Sequence, residues 1–407
     1  MSARGDEGRV APRQPSLYFH AMPDPIYLDH AATSPVRPEV LAAMQPFYGA
    51  RFGNPSSTHR WGREARIALD EARERVAGCL GGNADEVCFT SGGTEGDNLA
   101  ILGGWRVLKP RGRAAIVTSP IEHKAVLQAV HQAGKEGADV RLLNVDATGT
   151  VTLESARELV RDDTALCSVM WVNNEIGTIQ PIADIAAAAR RGGALVHVDA
   201  AQSVGKIAVN VEELGADLLS IAGHKLYAPK GVGVLYVRRG IALPPLLLGA
   251  GQERGRRPGT ENVPYIVGLG EACRIAGTML EREAKRLSGL SGDLFAALKR
   301  EIPDIVLVGD PKQRLPNTLN VLFPNVSGRK VLEQCRRVMA STGSACHADS
   351  EEPSAILTAL GIARDNALGA VRLSLGRGTT KENVADAAAD LAAAWRSVLA
   401  APAVAAE

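Results

Sequence analysis

Glu86-Val-Cys-Phe-Thr90-Ser-Gly-Gly-Thr94-Glu-Gly-Asp-Asn98 decides the reading of the fold: an apolar run, a glycine turn, then a polar stretch compatible with a helix. Strand, turn and helix start in that order expose unpaired backbone N–H groups and the positive end of a helix, and a phosphate is the natural guest. The same residues also suit a tight turn capped by Thr94. No Gly-Lys-Ser/Thr follows, so this is not a Walker-type nucleotide loop.

Outward from that segment, short apolar or β-branched runs recur with helix-like stretches between them. Besides Glu86–Thr90 they are Ala114–Ser119, Val140–Val145, Ala165–Asn173, Ala194–Asp199, Asp217–Ile221 and Gly231–Val237. Strands alternating with helices predict an α/β fold, a mostly parallel sheet of seven strands sandwiched by helices. Several runs end in polar or glycine-rich clusters: Glu122-His123, Asn173-Asn174, Asp199-Ala-Ala-Gln202 and Gly223-His224-Lys225. In open α/β sheets ligands sit beyond the carboxyl ends of strands, so these clusters are expected to converge on one crevice.

From about Val263 the texture changes. A long helical pattern with Arg/Glu pairs runs through Leu269–Arg300, followed by strand-like pieces at Ile305–Val308 and Asn317–Phe323, a helix over Lys330–Val338 and a strand at Ala370–Leu375. The expected division is a flexible N-terminal arm (1–25), a large cofactor-binding domain (36–262) and a smaller α+β domain made of 26–35 with 263–407. The alanine-rich Ala385–Ala406 reads as a closing helix and frayed tail.

Composition narrows the function. The 407 residues carry 46 Lys+Arg against 45 Asp+Glu and are only 4% aromatic, which argues against nucleic acid as a partner. No apolar run approaches the roughly 18 residues of a membrane span, since Leu243–Gly251 is short and holds two prolines. Six cysteines without a CxxC pair make neither a disulfide framework nor a zinc site, and a cytoplasmic setting with no metal is expected. The N-terminal residues lack the apolar core of a secretory signal.

His197-Val-Asp199-Ala-Ala-Gln202 puts a carboxylate at the end of an apolar strand, where it needs a cation or a strong donor, unless it caps the next helix. About 25 residues on, Ser220-Ile-Ala-Gly-His224-Lys225-Leu-Tyr-Ala-Pro-Lys230-Gly231 places a lysine after an apolar strand, either as a solvated edge charge or as a partly buried amine of lowered pKa. Lysine, upstream carboxylate, glycine turn and His123 together match what an aldehyde cofactor such as pyridoxal phosphate requires: a Schiff-base amine, a partner for the ring nitrogen, a phosphate cup and a stacking ring.

With these residues on the page, the chain resembles the cysteine desulfurases and selenocysteine lyases, aminotransferase-like pyridoxal-phosphate enzymes of fold type I. The resemblance runs from Tyr27-Leu-Asp-His-Ala-Ala-Thr33 to Val371-Arg372-Leu-Ser-Leu-Gly-Arg377. It includes Gly53-Asn-Pro-Ser-Ser57, Thr90-Ser-Gly-Gly-Thr94, Glu122-His123-Lys124, Val172-Asn-Asn-Glu-Ile-Gly177, Pro258-Gly-Thr-Glu-Asn262 and Ser341-Thr-Gly-Ser-Ala-Cys346. It implies that Lys225 holds the cofactor and shuttles the α-proton, that Asp199 pairs with the ring nitrogen and that His123 stacks on the ring. It further implies phosphate contacts from Gly93, Thr94, His224 and, across a homodimer boundary, Thr260. Gln202 is implied at the phenolic oxygen, and Asn174 and Arg372 at the substrate carboxylate, a task suited to a guanidinium.

The same resemblance assigns Cys346 as the thiolate that takes sulfur from L-cysteine, releasing L-alanine and passing a persulfide to an acceptor protein or small thiol. Iron–sulfur cluster assembly is one such use. The other five cysteines, Cys79, Cys88, Cys167, Cys273 and Cys335, sit in apolar patterns and read as core filler. His347 is a neighbour able to depress the Cys346 pKa if the two touch. Two departures matter. Ala222 stands where many relatives have serine, which removes a phosphate hydrogen bond and is expected to weaken cofactor retention. Gln313–Thr318, Gln334-Cys335 and Ala345-Cys-His347 resemble selenocysteine lyases, whereas Lys124 follows His123 as in desulfurases, where a cation favours a thiolate. Cysteine is therefore the expected principal substrate with selenocysteine accepted too; a selenocysteine lyase is the alternative and a non-catalytic partner-binding relative a remote one.

Overall fold

The structure, a computed structural model, describes residues 24–342 and 352–401 together with the backbone of 346–347 and 350–351. The expected arm falls mostly on residues 1–23, outside the described residues. In chain order the first strands are β1 (Ile26–Tyr27), β2 (Val87–Thr90), β3 (Ala115–Thr118), β4 (Asp139–Leu142), β5 (Thr164–Met170), β6 (Leu195–Asp199), β7 (Leu218–Ala222) and β8 (Gly233–Val237). Seven of them form one sheet in the order β2-β8-β7-β6-β5-β3-β4.

Pairing from β7 through β4 is parallel, and β8 is antiparallel to both β7 and β2. Two antiparallel steps restore direction, so β2 points the same way as the parallel strands and the Ser91-Gly92-Gly93 turn opens on the edge where they end. The sequence explains the burial. β5 reads Thr-Ala-Leu-Cys-Ser-Val-Met without alternation and is buried along its whole length, as a strand covered on both faces must be. β4 carries Asp139 and Arg141 and sits at the exposed edge, where charge discourages further pairing. The strand expected to reach Val145 accordingly stops at Leu142, and Val145 makes only an isolated bridge to Val151.

The remaining strands are β9 (Val306–Val308), β10 (Thr318–Leu322), β11 (Val338–Met339), β12 (Cys346–His347), β13 (Ser350–Glu351) and β14 (Ala370–Ser374). β14, β10 and β9 make an antiparallel sheet, and β1 runs parallel to β11. Leu287, Leu290, Leu294, Leu298, Phe323 and Leu391 build a second apolar core, joined by Ile26 and Leu28. The helix Val263–Glu301 spans both cores: Leu269, Ala272 and Cys273 pack in the first, Leu287 to Leu298 in the second. The helix expected over Lys330–Val338 is shorter, Gly328–Gln334, because Val338 is drawn into pairing with Ile26. The closing helix is Lys381–Ala400 and starts earlier than expected, where Thr380 and Asn383 cap each other reciprocally.

Candidate active site

The carboxyl ends of the large sheet surround a cavity of about 320 Å3 lined by Gly93, Thr94, His123, Asn174, Asp199, Gln202, Ala222, His224 and Lys225. A larger cavity, about 560 Å3, lies beside Arg66, Asp70 and Glu261 and holds none of these groups. Among the described residues no cluster of His, Cys, Asp and Glu could hold a metal, and no helix is long and apolar enough to cross a membrane.

Lys225 closes the single turn Gly223–Lys225 after β7, and its Nζ donates to the Ala31 carbonyl at 2.6 Å. Burial, then the nearby Arg372 charge, bring its pKa down to about 8, against the pull of Asp199 and Asp29. Asp199, the last residue of β6, accepts at Oδ1 from the Ala201 N–H at 2.9 Å within a turn; no helix starts there among the described residues, so the helix-capping alternative open in the sequence is not realised. Burial pushes its carboxyl pKa up, opposed by that N–H and by His123 and Lys225. A carboxylate buried with so little compensation calls for a cation facing it.

His123 caps the helix Lys124–Lys135, with Nδ1 accepting from the Ala125 N–H at 3.1 Å. That fixes the neutral ring's proton on Nε2. Burial lowers its pKa; Asp199 opposes the change and Lys225 adds to it. Behind it, Glu122 is buried, takes the Met170 N–H at 2.7 Å and bonds the Ser119 hydroxyl at 2.5 Å, pinning the end of β3 to the end of β5.

Gly93 and Thr94 open a helix whose N-cap, Gly92, supplies no side chain, so the Thr94 cap is not formed and the first N–H groups stay available. The turn rests on β8: a Cβ at Gly233 would come within 2.6 Å of the Gly92 carbonyl carbon, so only glycine fits there. His224 bonds the Thr33 hydroxyl through Nδ1 at 3.2 Å, and burial followed by Lys225 takes its pKa down to about 4. Ala222 presents only a methyl to the cavity.

Two expected residues stand apart. Arg372, on β14, donates to Asp29 at 2.8 Å and to the Asn174 carbonyl at 3.0 Å, so it is held behind Asn174 without lining the cavity and leaves its Nε without a partner. Thr260 lines a different cavity with Thr90, Ser91 and Gly231. The backbone of Cys346 lies in β12, paired with β13, and its side chain lies outside the described residues. Sequence reasoning missed the Ala31 carbonyl, Asp97 and Lys206. Asp97 belongs to the glycine-turn segment and Lys206 follows Gln202 by four residues, so both lay within segments already singled out.

The donor set fits pyridoxal phosphate on structural grounds: a primary amine of lowered pKa, a buried carboxylate short of a cation, an uncapped helix start and orphaned Asp97 and Asn174 oxygens in one cavity. Sheet and site together define a lysine-dependent enzyme of the pyridoxal-phosphate type. The chain belongs to the class-V aminotransferase family, whose sequence model matches residues 26–386 and whose members use that cofactor. It is 45% identical over 361 residues to cysteine desulfurase IscS of Dictyoglomus turgidum, covering 88% of this chain and 91% of the relative. Among solved structures it is similar to a NifS-like protein (TM-score 0.85, 38% identity, 91% of this chain and 98% of the other). It is also similar to SspA in complex with cysteine (TM-score 0.75, 36% identity, 86% of this chain and 98% of the other).

Proposed function

We propose that the chain is a pyridoxal-phosphate-dependent cysteine desulfurase that converts L-cysteine to L-alanine and carries the sulfur on Cys346. The observation that carries this reading is the Lys225 amine sharing a cavity with buried Asp199, His123 and the Gly93–Thr94 helix start. When bound, the cofactor supplies an electron sink that weakens the Cβ–sulfur bond of the amino acid attached to it. Asp199 would pair with the protonated ring nitrogen, His123 would cover the ring, and Gly93, Thr94 and His224 would hold the phosphate. Gln202 would contact the phenolic oxygen, and Asn174 and Arg372 would orient the substrate carboxylate.

Lys225 takes the α-proton and returns one to carbon. The Cys346 thiolate attacks the substrate sulfur: a sulfur–sulfur bond forms, the carbon–sulfur bond breaks and leaves its electron pair to Cβ, Cβ takes a proton, the α-proton is returned, and alanine leaves. The persulfide is then open to an acceptor protein or a small thiol, with iron–sulfur cluster assembly as the pathway class that the relatives' names support. The relative solved with cysteine supports cysteine as the substrate.

A homodimer belongs to the same proposal, with Thr260 reaching the site of a second copy; its location away from the chain's own Lys225 cavity and the exposed Tyr48, Phe52, Trp61 and Leu248 support it. A cytoplasmic setting is supported by the five described cysteines being free. A division into a large and a small domain is supported by the two separate cores, the helix Val263–Glu301 contributing its first half to the one and its second half to the other. The test is alanine release by the cofactor-supplemented protein under anaerobic reducing conditions, with L-cysteine and L-selenocysteine in parallel. Cysteine turnover that disappears in Cys346→Ala is expected; alanine from selenocysteine only would replace the desulfurase reading with a selenocysteine lyase.

A further inference from the structure

One buried ionisable group near the cavity has no part in the chemistry above. Lys206 is 9% exposed and follows Gln202 by four residues. Its Nζ donates to Gln202 Oε1 at 2.9 Å, and among the described residues it forms no ion pair with a carboxylate. Its charged neighbours are cationic: burial, then Lys225 and Arg372, take its pKa down to about 7, and it in turn depresses His30 and His224. A lysine held among cations without an anion is costly and contributes nothing as a salt bridge.

What it does is visible in the Gln202 amide. Nε2 donates to the Ala31 carbonyl at 2.9 Å while Oε1 faces Lys206. Amide orientation is usually assigned from the network around it, and here the two partners agree, since a carbonyl only accepts and the lysine amine, charged or neutral, has an N–H to donate. With Oε1 turned to Lys206 and one Nε2 hydrogen on Ala31, the second Nε2 hydrogen is what Gln202 has left to offer the cavity it lines.

We propose that Lys206 is a positioning residue that locks Gln202 as a hydrogen-bond donor toward an anionic oxygen on the cofactor ring. This rests on the pyridoxal-phosphate reading and goes beyond it by naming the group that decides which end of the amide the cofactor meets. Removing the lock frees the amide to turn its acceptor end to that oxygen, and the loss of the donor makes the proton of the lysine-linked chromophore harder to remove.

The test is a spectrophotometric pH titration of that chromophore in the holoenzyme, for the wild type, Lys206→Met, Lys206→Arg, Gln202→Leu and the double variant Gln202→Leu/Lys206→Met. Lys206→Met should raise the midpoint by about one unit. Lys206→Arg, which keeps a donor, should return it to the wild-type value, and in the Gln202→Leu background Lys206→Met should add little. Thermal unfolding of the cofactor-free proteins serves as the control that each variant folds. If Lys206→Met does not fold, Lys206→Ala carries the same readout. An unchanged midpoint in the lysine variants, or an equal shift with and without Gln202, overturns the proposal. A wild type that forms no lysine-linked chromophore with pyridoxal phosphate overturns the underlying reading, and this proposal with it.

Discussion

The two sides of the cavity are built on different electrostatics. On the large-sheet side, Lys225, His224, Glu122 and Asp199 are displaced from their ordinary pKa values first of all by burial. On the small-sheet side, Arg372 is paired with Asp29 and donates to the Asn174 carbonyl. Burial changes which protonation state a group prefers, and pairing fixes where a charge sits. The sheet side is therefore suited to moving protons and the other to holding a carboxylate still.

The strongest challenge to that contrast is Lys225→Ala. Turnover should fall by roughly 10^3-fold or more, and the lysine-linked absorbance should vanish while the fold persists by circular dichroism. Retention of the absorbance would remove the amine from the sheet side. Arg372→Lys tests the opposite wall. A point charge cannot reproduce two directed contacts, so KM for cysteine should rise by about 10- to 100-fold with a smaller change in kcat. Steady-state kinetics showing the reverse split would make Arg372 a proton-handling group and dissolve the contrast.

The smallest effect concerns Glu122. Its folded pKa, about 8, lies above the ordinary 4.5 because of burial, so the native state keeps a proton that the unfolded chain has already lost. The stability from this group is complete below about pH 4.5 and is lost as pH rises toward 8. Glu122→Gln, neutral at every pH and able to keep both contacts, should gain a few degrees of thermal midpoint over wild type between about pH 5 and pH 8. Parallel melting curves at the two pH values would mean that Glu122 is ionised where it lies.

The sheet and most of the cavity were legible because strand, turn and polar cluster are local patterns. Each of the seven runs became a strand of the large sheet, and Gly93, His123, Asp199 and Lys225 follow strand ends by sequence alone. What the sequence hid was decided across the fold. Lys206 reads as an ordinary surface lysine until the N-terminal segment and Gln202 close over it, and Val338 reads as helix until Ile26 pairs with it. Arg372 reads like the other ligands, whereas Thr260 is expected to serve a second copy. Thr260 lines a different cavity and Arg372 is held behind Asn174, which are facts of tertiary placement.

The Ala31 carbonyl, which receives both Lys225 and Gln202, has a consequence for the order of assembly. Its segment is anchored by Asp29 to Ser374 and Arg372, some 340 residues away in the chain. A ribosome that has made the whole large sheet has still not made that anchor. Until the last strand emerges, the nascent segment has its bonds from Thr33 and Ser34 to His224 beside the amine but lacks its second anchor, so the carbonyl that receives Lys225 is fixed in two stages.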